Sequence, residues 1–240
     1  MNEEPINSQP DATTVEAVPK TWPGAFGAYK YSRAAILQNW KSYLLVVILT
    51  MVVGGIQEAA MPSDQVNTEA SPLGVVVVLL SIVVSLILGI ALVRIILAGV
   101  NRKKITALEE IKQSISLVPA YFLMAVVSSI ILTVSFILLV IPFFFVMPRL
   151  VLAEYFLIDK KMGPIESIKA SWAATKGSAT KVWGVIVATI LMALLMITII
   201  GIPFAVYFLF MYSAAFGVLY AYLTRSKVEN LAESSDPIVA

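Results

Sequence analysis

The sequence predicts an all-α integral membrane protein: six transmembrane helices in three hairpins of one orientation, each preceded by a short interfacial amphipathic helix. Three observations carry that expectation. Of 240 residues, 59% are apolar and only 13% charged, with a mean hydropathy of +0.89, whereas a soluble domain holds about 25% charged residues. The apolar residues gather in four long blocks instead of short periodic runs. Lys and Arg crowd into alternate loops, the bias that sets orientation in a bilayer.

Residues 1–22 carry Glu3, Glu4, Asp11 and Glu16 and three prolines against the single Lys20. This composition suits a disordered cytosolic tail, not a signal peptide, which needs a basic start and an apolar stretch. The membrane domain is expected over 23–225. Its first apolar block, Tyr43 to Gln57, reaches the ~20 residues of a span only by taking in Glu58 and the residues after it. The second, Pro72 to Val93, is uncharged for 22 residues and continues past Arg94 to Val100. The third and fourth, Leu117 to Ile158 and Val182 to Leu223, are 42 residues each. As single helices each would run ~63 Å, about twice the hydrocarbon thickness, so each must double back. The corners are Val140-Ile141-Pro142-Phe143 and Gly201-Ile202-Pro203-Phe204, where Pro142 and Pro203 suit the start of a returning helix. The polar stretch 226–240 reads as a second disordered cytosolic tail.

Loop charges give the orientation. Gln57 to Ser71 has Glu58, Asp64 and Glu69 and no Lys or Arg, and both Pro corners are uncharged; these three connections belong outside. The basic residues at 30–41, 102–112, 160–181 and 225–227 fall on the other side, which puts both termini in the cytoplasm. The tryptophans lie near that face, with Trp40, Trp172 and Trp183 as interfacial anchors. The expected location is the bacterial cytoplasmic membrane.

An internal repeat supports three units of one design. Val93-Arg94-Ile95-Ile96-Leu97-Ala98 returns as Pro148-Arg149-Leu150-Val151-Leu152-Ala153, and Lys103-Lys104 as Lys160-Lys161. After a two-residue slip, Leu108-Glu109, Ile111-Lys112 and Ser114 match Ile165-Glu166, Ile168-Lys169 and Ser171. The apolar positions 105, 108, 111 and 115 and their counterparts 162, 165, 168 and 172 have the spacing of one helical face, hence an amphipathic elbow in each copy. A weaker third copy starts near Phe26. Small residues four apart mark packing faces at Ser81, Ser85 and Gly89, at Ala125, Ser129 and Thr133, and at Ser213 and Gly217.

With no His and no Cys, the commonest acid–base, metal and thiolate chemistries are absent. No enzyme activity, cofactor or metal is expected. Arg94, Arg149 and Glu154 are the ionisable groups within the spans, where each costs ~2.5–3.5 kcal/mol at a helix centre. Arg94 is near enough to Asn101 to snorkel; Arg149 is deeper and is expected to face the bundle interior. At equivalent repeat positions the two arginines are candidates to converge on a phosphate headgroup, which guanidinium forks match. Glu154 projects away from Arg149 on the same helix, so its partner is expected across helices.

The stretch Arg149 to Val187 combines Arg149, Asp159, Gly163-Pro164, Ser171-Trp172 and Thr175-Lys176-Gly177. This pattern resembles the membrane domain of bacterial glycerophosphoryl diester phosphodiesterases and related small membrane proteins, over about residues 90–225. The resemblance implies fold and membrane placement. The family's phosphodiesterase chemistry belongs to a separate soluble barrel that this sequence lacks. The functional expectation is therefore a non-catalytic accessory or lipid-interacting protein, with a small-molecule or lipid transporter as the alternative. Its expected partners are membrane lipids, with a homo-oligomer or membrane-protein partner left open, and no nucleic acid.

Overall fold

The computed structural model describes residues 18–60, 72–138, 140–194 and 201–235, and every regular element in them is helical. In order these are α1 (Gly24–Gln38), α2 (Trp40–Ala60), α3 (Pro72–Val100), α4 (Ala107–Ile115), α5 (Val118–Leu138), α6 (Val140–Leu150), α7 (Ala153–Lys160), α8 (Pro164–Thr175), α9 (Ala179–Leu194), α10 (Gly201–Tyr212) and α11 (Ala215–Ser235). Four stretches are long and apolar enough to cross a membrane: α2, α3, α5 and residues 206–228, where α11 continues α10. A fifth arises if α8 and α9, bent by 99°, count together. Met51, Leu73, Ile137 and Phe145 are all more than two-thirds exposed, at 71, 77, 74 and 72%. Side chains so placed in such numbers call for a lipid solvent, and the chain is a multi-pass helical membrane protein.

Three chain reversals are fixed by polar contacts between residues distant in sequence. Tyr121 Oη donates to the Glu154 carboxylate at 3.2 Å across 33 residues, which a straight helix would hold ~50 Å apart. Lys181 Nζ reaches Tyr222 Oη at 3.4 Å, 41 residues on. Asn39 Nδ2 donates to the Lys103 carbonyl at 2.8 Å, its Oδ1 accepts from the Ile105 N–H at 3.2 Å, and Ser42 Oγ donates to the Ile105 carbonyl. So α2 with α3, α5 with α6–α7, and α9 with α10–α11 each fold back on themselves. Pro142 and Pro203 both fall in the first turn of a returning helix, α6 and α10, where a missing N–H leaves no intrahelical bond unmade. Part of the acidic 57–71 loop and residues 139 and 195–200 at the two corners lie outside the described residues, as do 1–17 and 236–240 of the terminal segments.

Packing is concentrated at the end where the reversals close. In α3, burial is nearly continuous from Leu88 to Val100, while most of Leu73 to Val84 is exposed; α2 buries only Tyr43 and Val46, and α5 only Met124. The helices α1, α4 and α8 pack against this base. Ser171 of α8 donates to the Arg149 carbonyl at 2.6 Å, just before the turn at 151–152 that separates α6 from α7. Ser32 of α1 donates to the Met211 carbonyl at 2.6 Å, just before the turn at 213–214 that separates α10 from α11. Each hydroxyl meets a carbonyl at the point where the helix ladder is interrupted. On α3, the counterpart contact is an ion pair from Arg94 to Glu110 of α4. Thus α4 sits on the first hairpin, α8 on the second and α1 on the third, closing a ring.

Close backbone approach holds the ring together. A Cβ on Gly99 would lie 2.2 Å from the Ala35 carbonyl oxygen of α1, and one on Gly217 would lie 2.7 Å from Ile96 Cγ2 of α3. Gly217 belongs to a small-residue face expected from the sequence, whereas Gly89, in another such face, has open space beside it. The segment after 225, which composition marks as a loose tail, continues helical to Ser235. Lys227 Nζ is held there by the Ala173 carbonyl at 3.2 Å.

Candidate functional site

Arg94 and Arg149, which the sequence pattern aligns, have different surroundings. Arg94 Nε pairs with Glu110 Oε2 at 2.5 Å and its Nη2 bonds to Gln113, both on α4; the side chains of Arg94 and Glu110 are 16 and 11% exposed. Rather than snorkelling to lipid phosphates, this arginine is neutralised inside the protein. In the repeat register, the positions of Glu110 and Gln113 are taken on α8 by Ser167 and Ala170. Among the described residues no carboxylate therefore meets Arg149.

Arg149 is also not directed into the bundle interior. The returning helix breaks after Leu150, and the guanidinium turns to the far end of α8. There Nη1 donates to the Trp172 carbonyl at a long 3.4 Å, and the group lies 5.9 Å from the centre of the Trp172 ring. Its remaining N–H donors meet no described acceptor. Counting depth along one straight span placed this residue too far from the interface.

Beside Arg149 opens an apolar cavity of about 510 Å³, lined by Phe144, Phe145, Pro148, Ala179, Thr180 and Trp183. Phe144 and Trp183 face each other at 5.7 Å between ring centres. Its second wall is the start of α9, just past the 99° corner with α8. A cationic fork at the edge of an apolar groove is the complement of an anionic amphiphile. Arg94 lines a different cavity, at the hairpin base with Lys103 and Asp159. The two arginines therefore do not converge on one ligand, because Glu110 draws Arg94 away.

Glu154 finds its cross-helix partner in Tyr121 of α5, and no cation lies within ion-pair distance of it among the described residues. Of the expected anchors, Trp40 and Trp172 are 49 and 44% exposed, with Lys41 over the Trp40 ring, while Trp183 is half-buried in the groove wall. Phe144, Phe145, Tyr121 and Asn39 escape sequence reasoning. For the groove a signal did exist in the sequence, where Ser167 and Ala170 align with Glu110 and Gln113. Fold and site together define a multi-pass helical membrane protein with an arginine at the edge of an apolar groove. No family model, curated protein or solved structure matches this chain.

Proposed function

We propose that the protein is a non-catalytic, lipid-interacting component of the bacterial cytoplasmic membrane, and that Arg149 holds the headgroup of an anionic phospholipid. One acyl chain of that lipid lies along Phe144, Phe145 and Trp183. The observation that carries this reading is a guanidinium with unengaged donors beside an apolar groove, at the repeat position where its twin is ion-paired. The reading includes six spans in three like-oriented hairpins, α6–α7 and α9 making up the count, with both termini cytoplasmic. Its support is the gathering of the basic loops at the packed base. The resemblance of residues 149–187 to the phosphodiesterase membrane domains supports fold and placement in the same sense.

Native mass spectrometry of the full chain from detergent tests the lipid. Retained phospholipid is expected to be anionic, to fall sharply in Arg149→Ala, to survive partly in Arg149→Lys and to be unchanged in Arg94→Ala. Equal retention by Arg149→Ala and the parent protein, both monodisperse, would remove the proposal's basis. For the topology, a single cysteine at Asp64 should label from outside and one at Lys176 from inside. Labelling of both from one side refutes six spans. A lipid or small-molecule translocator is the second reading, favoured by the uncompensated Glu154 between α5 and α7. It predicts flux into reconstituted vesicles above protein-free controls, lost in Glu154→Ala.

A further inference from the structure

A second cavity system opens at the packed base, where all three hairpins meet. One lobe of about 260 Å³ is lined by Arg94, Asn101, Lys103, Glu110, Asp159 and Lys161, among others. The other lobe, about 700 Å³, is reached past Lys160, Tyr220 and Arg225. Leu97, Asn101, Lys103 and Asp159 line both, so the two form one vestibule.

Its charges are not balanced internally. Glu110 is committed to Arg94, and Asp159 accepts from Tyr220 Oη at 2.8 Å and pairs with Lys160 at 3.3 Å. Neither carboxylate is left for a metal cation or for the two other lysines. The Lys103 and Lys161 ammonium groups make no hydrogen bond or ion pair with any described residue. Their backbones, by contrast, are fixed. The Lys103 N–H donates to the Ala98 carbonyl at 2.8 Å, and its own carbonyl is clamped by Asn39. Lys161 ends α7 in the left-handed region at φ 51°, a cap usually given to glycine. Arg102, the residue before Lys103, has φ 55°, and among the described residues these are the two non-glycine positions with positive φ. Each such residue carries roughly 1 kcal/mol of strain or more, and strain of this kind gathers at ligand clamps.

We infer that the vestibule between Lys103 and Lys161 binds a phosphate monoester, with Asn101 as a neutral donor and the wider lobe for the organic part of the ligand. A monoester carries about −1.5 to −2 charges at pH 7, enough to occupy both ammonium groups; a carboxylate, with one charge, leaves one unmatched. Lys103 follows the first hairpin and Lys161 the second, so a bridging phosphate ties them together. The ligand comes either from solution or from a lipid headgroup. The site shares no residue with the groove at Arg149, so either assignment can fail alone.

The test uses the full-length protein, with inorganic phosphate as soluble probe and, in an Arg149→Ala background that removes the other groove's cation, nanodiscs containing phosphatidic acid or phosphatidylcholine as lipid probes. Phosphate should bind saturably by calorimetry and raise the thermal midpoint, as a ligand of the folded state must. Lys103→Gln with Lys161→Gln should weaken binding about tenfold or more, equivalent to ~1.4 kcal/mol. The control Lys176→Gln, outside the vestibule, should stay within about twofold, as expected for an exposed charge. Phosphatidic acid displaced by inorganic phosphate identifies a headgroup ligand; binding of phosphate without competition from that lipid identifies a soluble one. Absence of saturable binding to both probes, or binding within about twofold of the parent by the double variant, overturns the inference. Should the glutamine pair not fold, Lys103→Arg with Lys161→Arg retains both charges and must retain the midpoint rise; a flat midpoint in parent and arginine pair alike rejects the site.

Discussion

The elbows α4 and α8 share a sequence pattern and both pack at the same end of the molecule. Both carry a fully buried serine at the same register, Ser114 and Ser171. They differ in what they offer the arginine on the helix beneath. With Glu110 and Gln113, α4 makes Arg94 a structural ion pair; with Ser167 and Ala170, α8 leaves the Arg149 guanidinium facing an apolar groove. Two side chains thus separate an arginine held in an ion pair from one left beside an apolar groove.

The strongest way to break the comparison is Glu110→Ala. It strands Arg94 in a site where it is 16% exposed, and loss of one partner of a buried pair costs about 3 kcal/mol. A large fall in thermal midpoint is expected, while Ser167→Ala, with no cation to strand, should fall far less. If both variants melt alike, the two elbows are not distinguished by the ion pair. Next is the serine pair. Ser171→Ala leaves the Arg149 carbonyl without its donor and should cost ~1–2 kcal/mol in denaturation of the purified protein. Ser114 bonds within its own helix, to the Glu110 carbonyl, so Ser114→Ala should cost clearly less. Ser167→Glu would convert α8 towards α4. A carboxylate offered to Arg149 should reduce phospholipid retention a few-fold, ~1 kcal/mol of competition, measured by native mass spectrometry. The smallest effect belongs to Trp172→Leu, which removes the ring beside Arg149 and ~0.5–1 kcal/mol of cation–π interaction. The measurable sign is a modest loss of retained lipid with no change in midpoint.

The sequence makes legible what repeats locally. Pro72–Val100 emerges as α3 at the ends its apolar run suggests, and the elbows 107–115 and 164–175 follow from their three-and-four spacing. What it hides depends on distant contacts. Ser32 and Met211 are 179 residues apart, so the closure of α1 onto the third hairpin has no local signature. Asn39 is a lone asparagine between two helices; only its fold-back partner at 103–105 makes it a clamp. Gly99 lies outside the recognised small-residue faces, yet it brings α3 onto the backbone of Ala35. The surroundings of Arg149 are obscured by one assumption, that the returning segment after Pro142 is a single straight helix. The break at 151–152 turns depth along the chain into a poor measure of depth in the bilayer.

Because side chains interlock chiefly at the end where the elbows pack, freedom to alter this molecule is one-sided. Between Ala60 and Pro72, the ends of α2 and α3 away from that base, is the place to graft a tag or a fluorescent reporter with the least disturbance. The same insertion between α3 and α4 would pull apart the junction that Asn39 makes with Lys103 and Ile105.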